Sequence, residues 1–469
     1  VNPIDRSPID RSPLDALVAS YALERHCPSV AWGLVRDGGL DVTGSCGALS
    51  DGTAPDEHTI YRIASMTKSF SAAAVLLLRD DGVFQLDDPI TRHAPEMASL
   101  RPPTTDGAPI TIRDLLAMSS GLASDDPWGD RHLDLTDVEL DEIVESGALF
   151  AVSTGTSNEY SNLGYALLGR VVERASGMRI QDIVSERLLG PLGMTRTTWV
   201  EPDHDGWARP HRWLDDAHVD ELHPLGDGAL APMGGLWTCI ADLARWVAWL
   251  DDAYPPRDEL DRGPLRRSSR REMQLVHRYI GMRTVREVAA ATGYGYGLLT
   301  RDEPVHGLVV AHSGGLPGYG SNMRWLPGRR FGLVALTNVT YGNMTELTLR
   351  MLDLLHEQGA VPPPPEWPTT PFLADTARRL VDLLNDWDDR CADELFADNV
   401  AADHAYARRR AGHARVVDGK GPLTIGRIVA ESNADAKVFA LDSDGGAVTI
   451  GFTLAPVRPP RVQSFHVTR

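Results

Sequence analysis

Ser65-Met66-Thr67-Lys68 sets a hydroxyl and an amine three residues apart. At the start of a helix that spacing puts both side chains on one face, where they can meet. The helix N-terminus adds partial positive charge and free backbone N–H groups where an oxyanion would develop. A serine nucleophile needs a base, and a lysine at its ordinary pKa of about 10.4 is almost fully protonated near neutrality. Burial can lower that value by ~3–5 units. The same four residues also fit a serine N-cap followed by a surface lysine. Composition bears on the choice. The only lysines in the chain are Lys68, Lys420 and Lys437, all other basic positions being arginine or histidine. Arginine stays protonated in proteins, so a site that needs a neutral amine cannot accept the exchange.

Two further groups carry polar chemistry. Tyr160-Ser161-Asn162 precedes an expected helix. A phenol beside a cationic lysine could be held as phenolate and take the serine proton, and the Asn162 amide could orient Lys68 or bind a substrate carbonyl. Each also fits a structural role, a half-buried tyrosine and a helix cap. His312-Ser313-Gly314-Gly315 ends an expected strand and runs on to Gly320. Glycine there permits a substrate to approach the strand edge closely. A backbone N–H from this edge, with that of Ser65, could form an oxyanion hole. His312 alone also fits a structural histidine.

In this order the three groups resemble the penicillin-recognising serine hydrolases, in the branch holding class C β-lactamases, D-alanyl-D-alanine carboxypeptidases, D-aminopeptidases and related esterases. The resemblance spans about residues 20–358. Ile63–Lys68, Leu86-Asp87-Asp88-Pro89, Leu115–Leu122, Tyr160-Ser161-Asn162, Pro191-Leu192-Gly193-Met194 and His312-Ser313-Gly314 carry it. It implies an α/β (α+β) fold, with an antiparallel sheet flanked by helices, an inserted all-helical subdomain and the site between them. By the same resemblance Ser65 matches the nucleophile, Lys68 its activator and Tyr160 a general base sharing one proton task with Lys68. Asn162 matches a residue supporting lysine and substrate amide. Gly315 supplies the second oxyanion N–H, and His312, Ser313 and Gly314 line the substrate side. His312 stands where β-lactamases carry lysine. A histidine is only partly charged near neutral pH, which puts recognition of a substrate carboxylate in doubt.

The elements that must position these residues can be read from pattern. A helix is expected over about Leu14–Arg25, then a hairpin of 29–36 and 40–45 about Asp37-Gly38-Gly39. Ser65–Asp80 reads as a helix stopped by Gly82. The middle of the chain to about Ala248 reads as mostly helical, with helices over Ile112–Met118, Leu163–Ala175, Ile180–Leu188 and Ala241–Leu250. Strands follow after Gly293, over Leu308–His312, Ser321–Leu326 and Phe331–Thr337, then a helix over Thr345–His356. Residues 1–15 repeat Pro3-Ile4-Asp5, Pro8-Ile9-Asp10 and Pro13-Leu14-Asp15, an irregular arm. Four consecutive prolines within Val361–Pro368 favour a stiff spacer. The expected division is a catalytic domain over 1–360, a linker over 361–368 and a small C-terminal β-rich domain, α+β or barrel-like, over 369–469. That domain opens on a helix near Ala374–Leu384 and ends in strands near Ala447–Leu454 and Val462–Val467.

Composition closes off other classes. The 469 residues are 42% hydrophobic and 24% charged, ordinary for a globular protein with a core. A net charge of -19 argues against nucleic acid and anionic membranes, which need clustered positive charge. No apolar run reaches the roughly 20 residues of a membrane-spanning helix. No leader pattern opens the chain, so a cytoplasmic location is expected, a removed leader being compatible with a start at Val1. Cys27, Cys46, Cys239 and Cys391 lack metal-site spacing and are expected to be buried free thiols. No metal or organic cofactor is implied, and the partner is a small-molecule or peptide substrate. The expected function is a serine hydrolase acting through an acyl-enzyme on small amides, D-amino-acid peptides or esters. An acyltransferase or peptide-cyclising thioesterase with an amine acceptor remains open, as does a β-lactam-binding sensor that does not turn over.

Overall fold

Along the strand Ser29–Arg36, Val30, Trp32 and Leu34 face one hydrophobic core, and Ala31 and Val35 face another. Strand side chains alternate between faces, so a strand that is apolar throughout must be covered on both. The computed structural model describes residues 9–203, 206–221, 226–365, 370–433, 436–442 and 448–468. The chain divides into two units, residues 1–364 and 365–469.

Among its described residues the first unit has twelve strands: β1 (Ser29–Arg36), β2 (Gly39–Gly47), β3 (Tyr61–Arg62), β4 (His211–Leu214), β5 (Ala217–Asp220), β6 (Trp237–Thr238), β7 (Arg278–Val285), β8 (Val288–Tyr294), β9 (Leu299–Glu303), β10 (Gly307–Leu316), β11 (Tyr319–Leu326) and β12 (Phe331–Thr337). Eight of them form one antiparallel sheet in the order β2-β1-β12-β11-β10-β9-β8-β7. The helices Ser12–Glu24 and Met344–Glu357 cover one face, packing Leu14, Val18, Tyr21, Leu347 and Met351 against Trp32, Leu333 and Ala335. The other face meets the helical part of the unit, in which Thr67–Asp80, Asn162–Ser176 and Ile240–Asp251 are the longest helices. Every residue from Thr67 to Leu78 is buried, so this helix is the centre of the larger core. The expected fold class, a large antiparallel sheet flanked by helices, is the observed one.

Several expected elements shift, each for a local reason. The third proline repeat, Pro13-Leu14-Asp15, is the first turn of the Ser12–Glu24 helix, where proline's fixed φ suits the start. Pro3, Ile4, Asp5 and Pro8 lie outside the described residues. Ser65 is not in the α-helix. It sits in a 3₁₀ turn, Ala64–Met66, and the helix begins at Thr67. The helix expected over Ile112–Met118 stops at Leu116, and Met118 has φ 55°. The sheet resumes at Arg278 rather than after Gly293. The missed hairpin turns through Arg286 and Glu287, at φ 48° and 65°. Tight hairpin turns favour glycine or asparagine at such angles, so the sequence carries no turn signal there. β4 and β5 also interrupt the region expected to be mostly helical. Of the cysteines, Cys27 and Cys239 are buried free thiols, while Cys46 is half-buried and Cys391 exposed.

The second unit holds the helices Pro371–Asn385, Asp389–Leu395, Asp398–Asp403 and Tyr406–Val417, and a four-stranded antiparallel meander. Its strands are β13 (Thr424–Asn433), β14 (Ala436–Asp442), β15 (Val448–Leu454) and β16 (Val462–Thr468). Leu380, Leu384, Phe396, Phe439, Ile450 and Phe465 form its core. Residues 366–368 of the proline-rich segment, together with Thr369 and Ala447, lie outside the described residues. Among the described residues no helix is long and apolar enough to cross a membrane.

Trp246 ties the central helix to the Ile240–Asp251 helix. Its ring stacks on Phe70 at 3.8 Å between centroids, and its Nε1 donates to Ser69 Oγ at 3.0 Å. Trp246→Ala is expected to cost about 3–5 kcal/mol of stability, read as a lower urea midpoint, with Trp246→Phe losing less.

Candidate active site

Ser65 is placed by a strained turn pressed against a strand. β3 pairs with β6, and Ile63 N donates to Leu236 O at 3.0 Å. Ala64 then takes φ 49°, a left-handed conformation that costs a non-glycine residue on the order of 1–3 kcal/mol. The reversal lifts Ser65 toward β10. Ser321 Oγ donates to Ile63 O at 2.8 Å and holds the turn to the sheet. Gly314 lies against it so closely that a Cβ there would fall 2.1 Å from Ile63 O. Glycine is the one residue that lets β10 run past the turn.

Lys68 is fully buried, and its Nζ has three acceptors around it. Ser65 Oγ is at 2.9 Å, Asn162 Oδ1 at 2.7 Å and Met233 O at 2.9 Å. An ammonium fills all three with N–H bonds. A neutral amine has two N–H groups and a lone pair. Asn162 Oδ1 and Met233 O can only accept, so they keep the two hydrogens and the lone pair faces Ser65. Burial pulls the Lys68 pKa down to about 8, opposed by the charges of Asp126, Asp130 and Asp125. The amine is thus within reach of deprotonation near neutral pH.

The Asn162 amide has a defined orientation. Its Nδ2 donates to Asp126 Oδ1 at 2.8 Å, which turns Oδ1 toward Lys68. Its backbone N–H and that of Leu163 donate to Asp125, at 2.6 and 2.8 Å, and Ser161 Oγ accepts from Gly164 N at 3.2 Å. The first three N–H groups of the Asn162–Ser176 helix are therefore satisfied by side chains. Ser161, not Asn162, is the cap.

Tyr160 and His312 differ from expectation in their charge. Lys68 Nζ sits 4.9 Å from the Tyr160 ring centroid, against the ring face. Burial, with Asp126, Tyr165 and Asp130, pushes the Tyr160 pKa well above its ordinary value, and a side-chain interaction with Ser65 opposes them. That direction favours a neutral phenol over the phenolate that the sequence allowed. His312 Nδ1 lies 2.6 Å from Ser313 O, and a carbonyl only accepts, so Nδ1 carries the hydrogen. Nε2 then accepts from Tyr294 OH at 3.1 Å. Burial and the charge of Lys68 lower the His312 pKa to about 3. It is neutral rather than partly charged, and both ring nitrogens are occupied within the protein.

A cavity of about 430 Å³ brings the predicted residues together. Ser65, Tyr160, His312, Ser313 and Gly315 line it, with Asp126, Pro127, Asp130, Leu299 and Tyr341. Lys68, Asn162 and Gly314 are not among its lining residues and hold those that are. The ladder between β10 and β9 stops at Ala311, so alternate backbone groups from His312 to Leu316 face no β9 partner. Sequence reasoning missed Asp125, Asp126, Asp130, Met233, Tyr294 and Tyr341. Two adjacent aspartates and a proline just after Ser120-Gly121-Leu122 were a signal for a capping loop. Met233 acts through its carbonyl, which no residue type announces. Among the described residues no group of three or more His, Cys, Asp or Glu side chains could hold a metal ion.

Gly314→Ala forces β10 off the Ser65 turn. The expected outcome is a drop of about 100-fold in the rate of covalent labelling at position 65, since misplacement by 1 Å can cost that much. Intact mass after a fluorophosphonate pulse measures it. Wild-type labelling rates in a folded Gly314→Ala protein would contradict this account of the glycine.

The family model described as Beta-lactamase matches residues 14–358. The chain is 28% identical over 333 residues to the D-alanyl-D-alanine-carboxypeptidase/endopeptidase AmpH of Escherichia coli (strain K12), covering 67% of this chain and 82% of that protein. It is 30% identical over 337 residues to Esterase EstB of Burkholderia gladioli, covering 64% and 83%. The structure of the octameric penicillin-binding protein homologue from Pyrococcus abyssi superposes with a TM-score of 0.64 at 21% identity, covering 98% of this chain and 96% of that one. The chain belongs to the beta-lactamase family and is a serine hydrolase of the β-lactamase and penicillin-binding-protein type.

Proposed function

We propose that Ser65 is the nucleophile of an acyl-enzyme hydrolase for small amides and esters that carry no carboxylate next to the reacting carbonyl, D-amino-acid amides among them. The observation that carries this is the geometry of Lys68. Its two obligate acceptors leave the lone pair of the neutral amine aimed at Ser65 Oγ, 2.9 Å away. Lys68 takes the serine proton as Oγ attacks the carbonyl. The oxyanion is held by the N–H groups of Ser65 and Gly315, each such donor typically being worth about 2.7–4 kcal/mol of barrier. Tyr160, a neutral phenol beside Ser65, passes a proton to the leaving amine or alcohol. The Lys68 ammonium then returns its proton to Tyr160, restoring the phenol and the neutral amine. Water attacks the ester carbonyl and gives a proton to Lys68; the bond to Ser65 Oγ breaks, and Lys68 passes that proton to Oγ.

The substrate class follows from the charge of the wall. Asp126 and Asp130 line the cavity, and among the described residues no lysine or arginine does. Burial and the neighbouring Asp126 push the Asp130 pKa up to about 7, so its negative charge is partial at neutrality and grows as the pH rises. His312 is neutral and offers no free N–H. A substrate carboxylate would face negative charge with no cation to pair with, whereas a protonated amine would be attracted. Among a short-chain nitrophenyl ester, a D-alanine anilide, a chromogenic cephalosporin and a D-Ala-D-Ala peptide, the first two are expected to turn over fastest by kcat/KM. Faster cleavage of the cephalosporin or the dipeptide would overturn this selectivity. An adduct on Ser65 that never clears would instead indicate a sensor.

The proton role of Lys68 gives two further expectations. Because the neutral amine is the active form, kcat/KM should rise with pH through a limb near 8 and fall away below it. A limb at the ordinary histidine value of about 6.5 would point to another base. Lys68→Arg keeps a cation but removes the lone pair. It should lower kcat by about 10²–10⁴-fold, the usual contribution of a positioned base, and retained turnover would refute the role.

A further inference from the structure

Asp126 has no part in the proton path above, yet it touches the residue on which that path depends. Its Oδ1 accepts from Asn162 Nδ2 at 2.8 Å, and Asn162 Oδ1 accepts from Lys68 Nζ at 2.7 Å. We propose that Asp126 is a positioning residue that locks the Asn162 amide in the one orientation that leaves the Lys68 lone pair free for Ser65. This rests on the reading of Lys68 as the base.

The argument is one of donors and acceptors. An amide has an acceptor end and a donor end, and in isolation either could face Lys68. Turned over, Asn162 would direct its NH₂ at the amine. Against neutral Lys68 that NH₂ would donate into the lone pair, and the base would be quenched by its own support. A carboxylate prevents the turn because it can only accept, so Asn162 must present its NH₂ to Asp126 and its oxygen to Lys68. Asp125 fixes the same residue from its backbone side. The two adjacent aspartates hold Asn162 at both its main chain and its amide.

Asp126 also acts on Lys68 through charge. The groups facing Lys68 come from every neighbouring element. They are Asp125, Asp126 and Asp130 from the segment around the short helix Asp126–Gly129, the rings of Tyr160 and Tyr165 at 4.9 and 5.7 Å, neutral His312 on β10, and the Met233 carbonyl. Asp126 is the largest of the charges that favour the ammonium form. Removing it makes the proton leave at lower pH.

Asp126→Asn separates these effects, being close to isosteric at an exposed position. An asparagine can accept or donate, so it no longer forbids the turned amide. The test is the rate at which a fluorophosphonate labels Ser65 between pH 6 and 10, followed by intact mass. The Oγ–P bond forms, fluoride leaves, and the serine proton passes to Lys68. Asp126→Asn should lower the high-pH plateau by about tenfold and move the acidic limb down by about half a unit or more. In an Asn162→Ala background the same exchange should leave the plateau unchanged, because Asp126 acts through Asn162, while the limb still moves. Asp126→Ala should behave as Asp126→Asn in both backgrounds. An unchanged plateau in Asp126→Asn, or an equal loss with and without Asn162, would overturn the proposal while leaving Ser65 and Lys68 in their roles. A wild-type protein that takes no label at Ser65 would sink the underlying reading and the proposal with it.

Discussion

A lysine amine enclosed on all sides must have every hydrogen bonded and every lone pair accounted for, and the candidate site is organised around that requirement. Leaving a buried donor unsatisfied costs on the order of 1–3 kcal/mol, more if it is charged. Around Lys68 the accounting closes in both protonation states. Three acceptors suit the ammonium; two acceptors and a hydroxyl that can donate suit the amine. Proton exchange between Lys68 and Ser65 therefore leaves neither state with an orphaned group. Burial favours the amine and three aspartates favour the ammonium, so the balance falls between the two extremes.

That accounting draws on distant parts of the chain. The hydroxyl comes from the turn after β3, the amide from the start of the Asn162–Ser176 helix, and the carbonyl from the Ala231–Gly234 turn. β10 closes the site from the sheet, and its approach depends on the absence of side chains. A Cβ at Gly314 would collide with Ile63 O, and one at Gly297, at φ 66°, would fall 2.4 Å from Lys68 O. The sheet can thus lie against the reactive segment on both sides of Ser65. A strained Ala64 persists in that contact because Leu236 O and Ser321 Oγ fix the residue before it.

Much of the fold was legible because the signals were periodic or punctuated. The Asp37-Gly38-Gly39 hairpin, the Gly177 stop after Ser176 and the strands from Gly307 onward follow turn chemistry and alternation. The hairpin of β7 and β8 was not legible, since its turn uses Arg286 and Glu287 and no residue of its outer strand is buried. Of the candidate site, the residue types Ser, Lys, Tyr, Asn and His could be named, and the structure gathers them around one cavity. Their protonation states could not be read from the sequence. Tyr160 is a neutral phenol because it is enclosed next to carboxylates, and His312 is neutral because Ser313 O and Tyr294 OH occupy its ring. Both facts depend on burial and on partners remote in sequence.

The scarcity of lysine takes on a physical meaning when the buried arginines are compared with Lys68. Arg62 and Arg324 are as thoroughly enclosed, at 2% and 4% exposure, and burial lowers the pKa of each only to about 10. Both remain cations at neutral pH, and Arg324 is held by Asn322, Thr348 and the Thr345 carbonyl as a permanent donor. The same fold therefore uses buried arginine where a fixed charge has to be satisfied. At position 68 a guanidinium would still be charged after complete burial, and it would offer Ser65 only N–H groups. Within residues 1–364 Lys68 is the one lysine, and arginine takes the other long cationic positions. Under the proposed mechanism that lysine stands where the side chain has to accept a proton, which a guanidinium does not do.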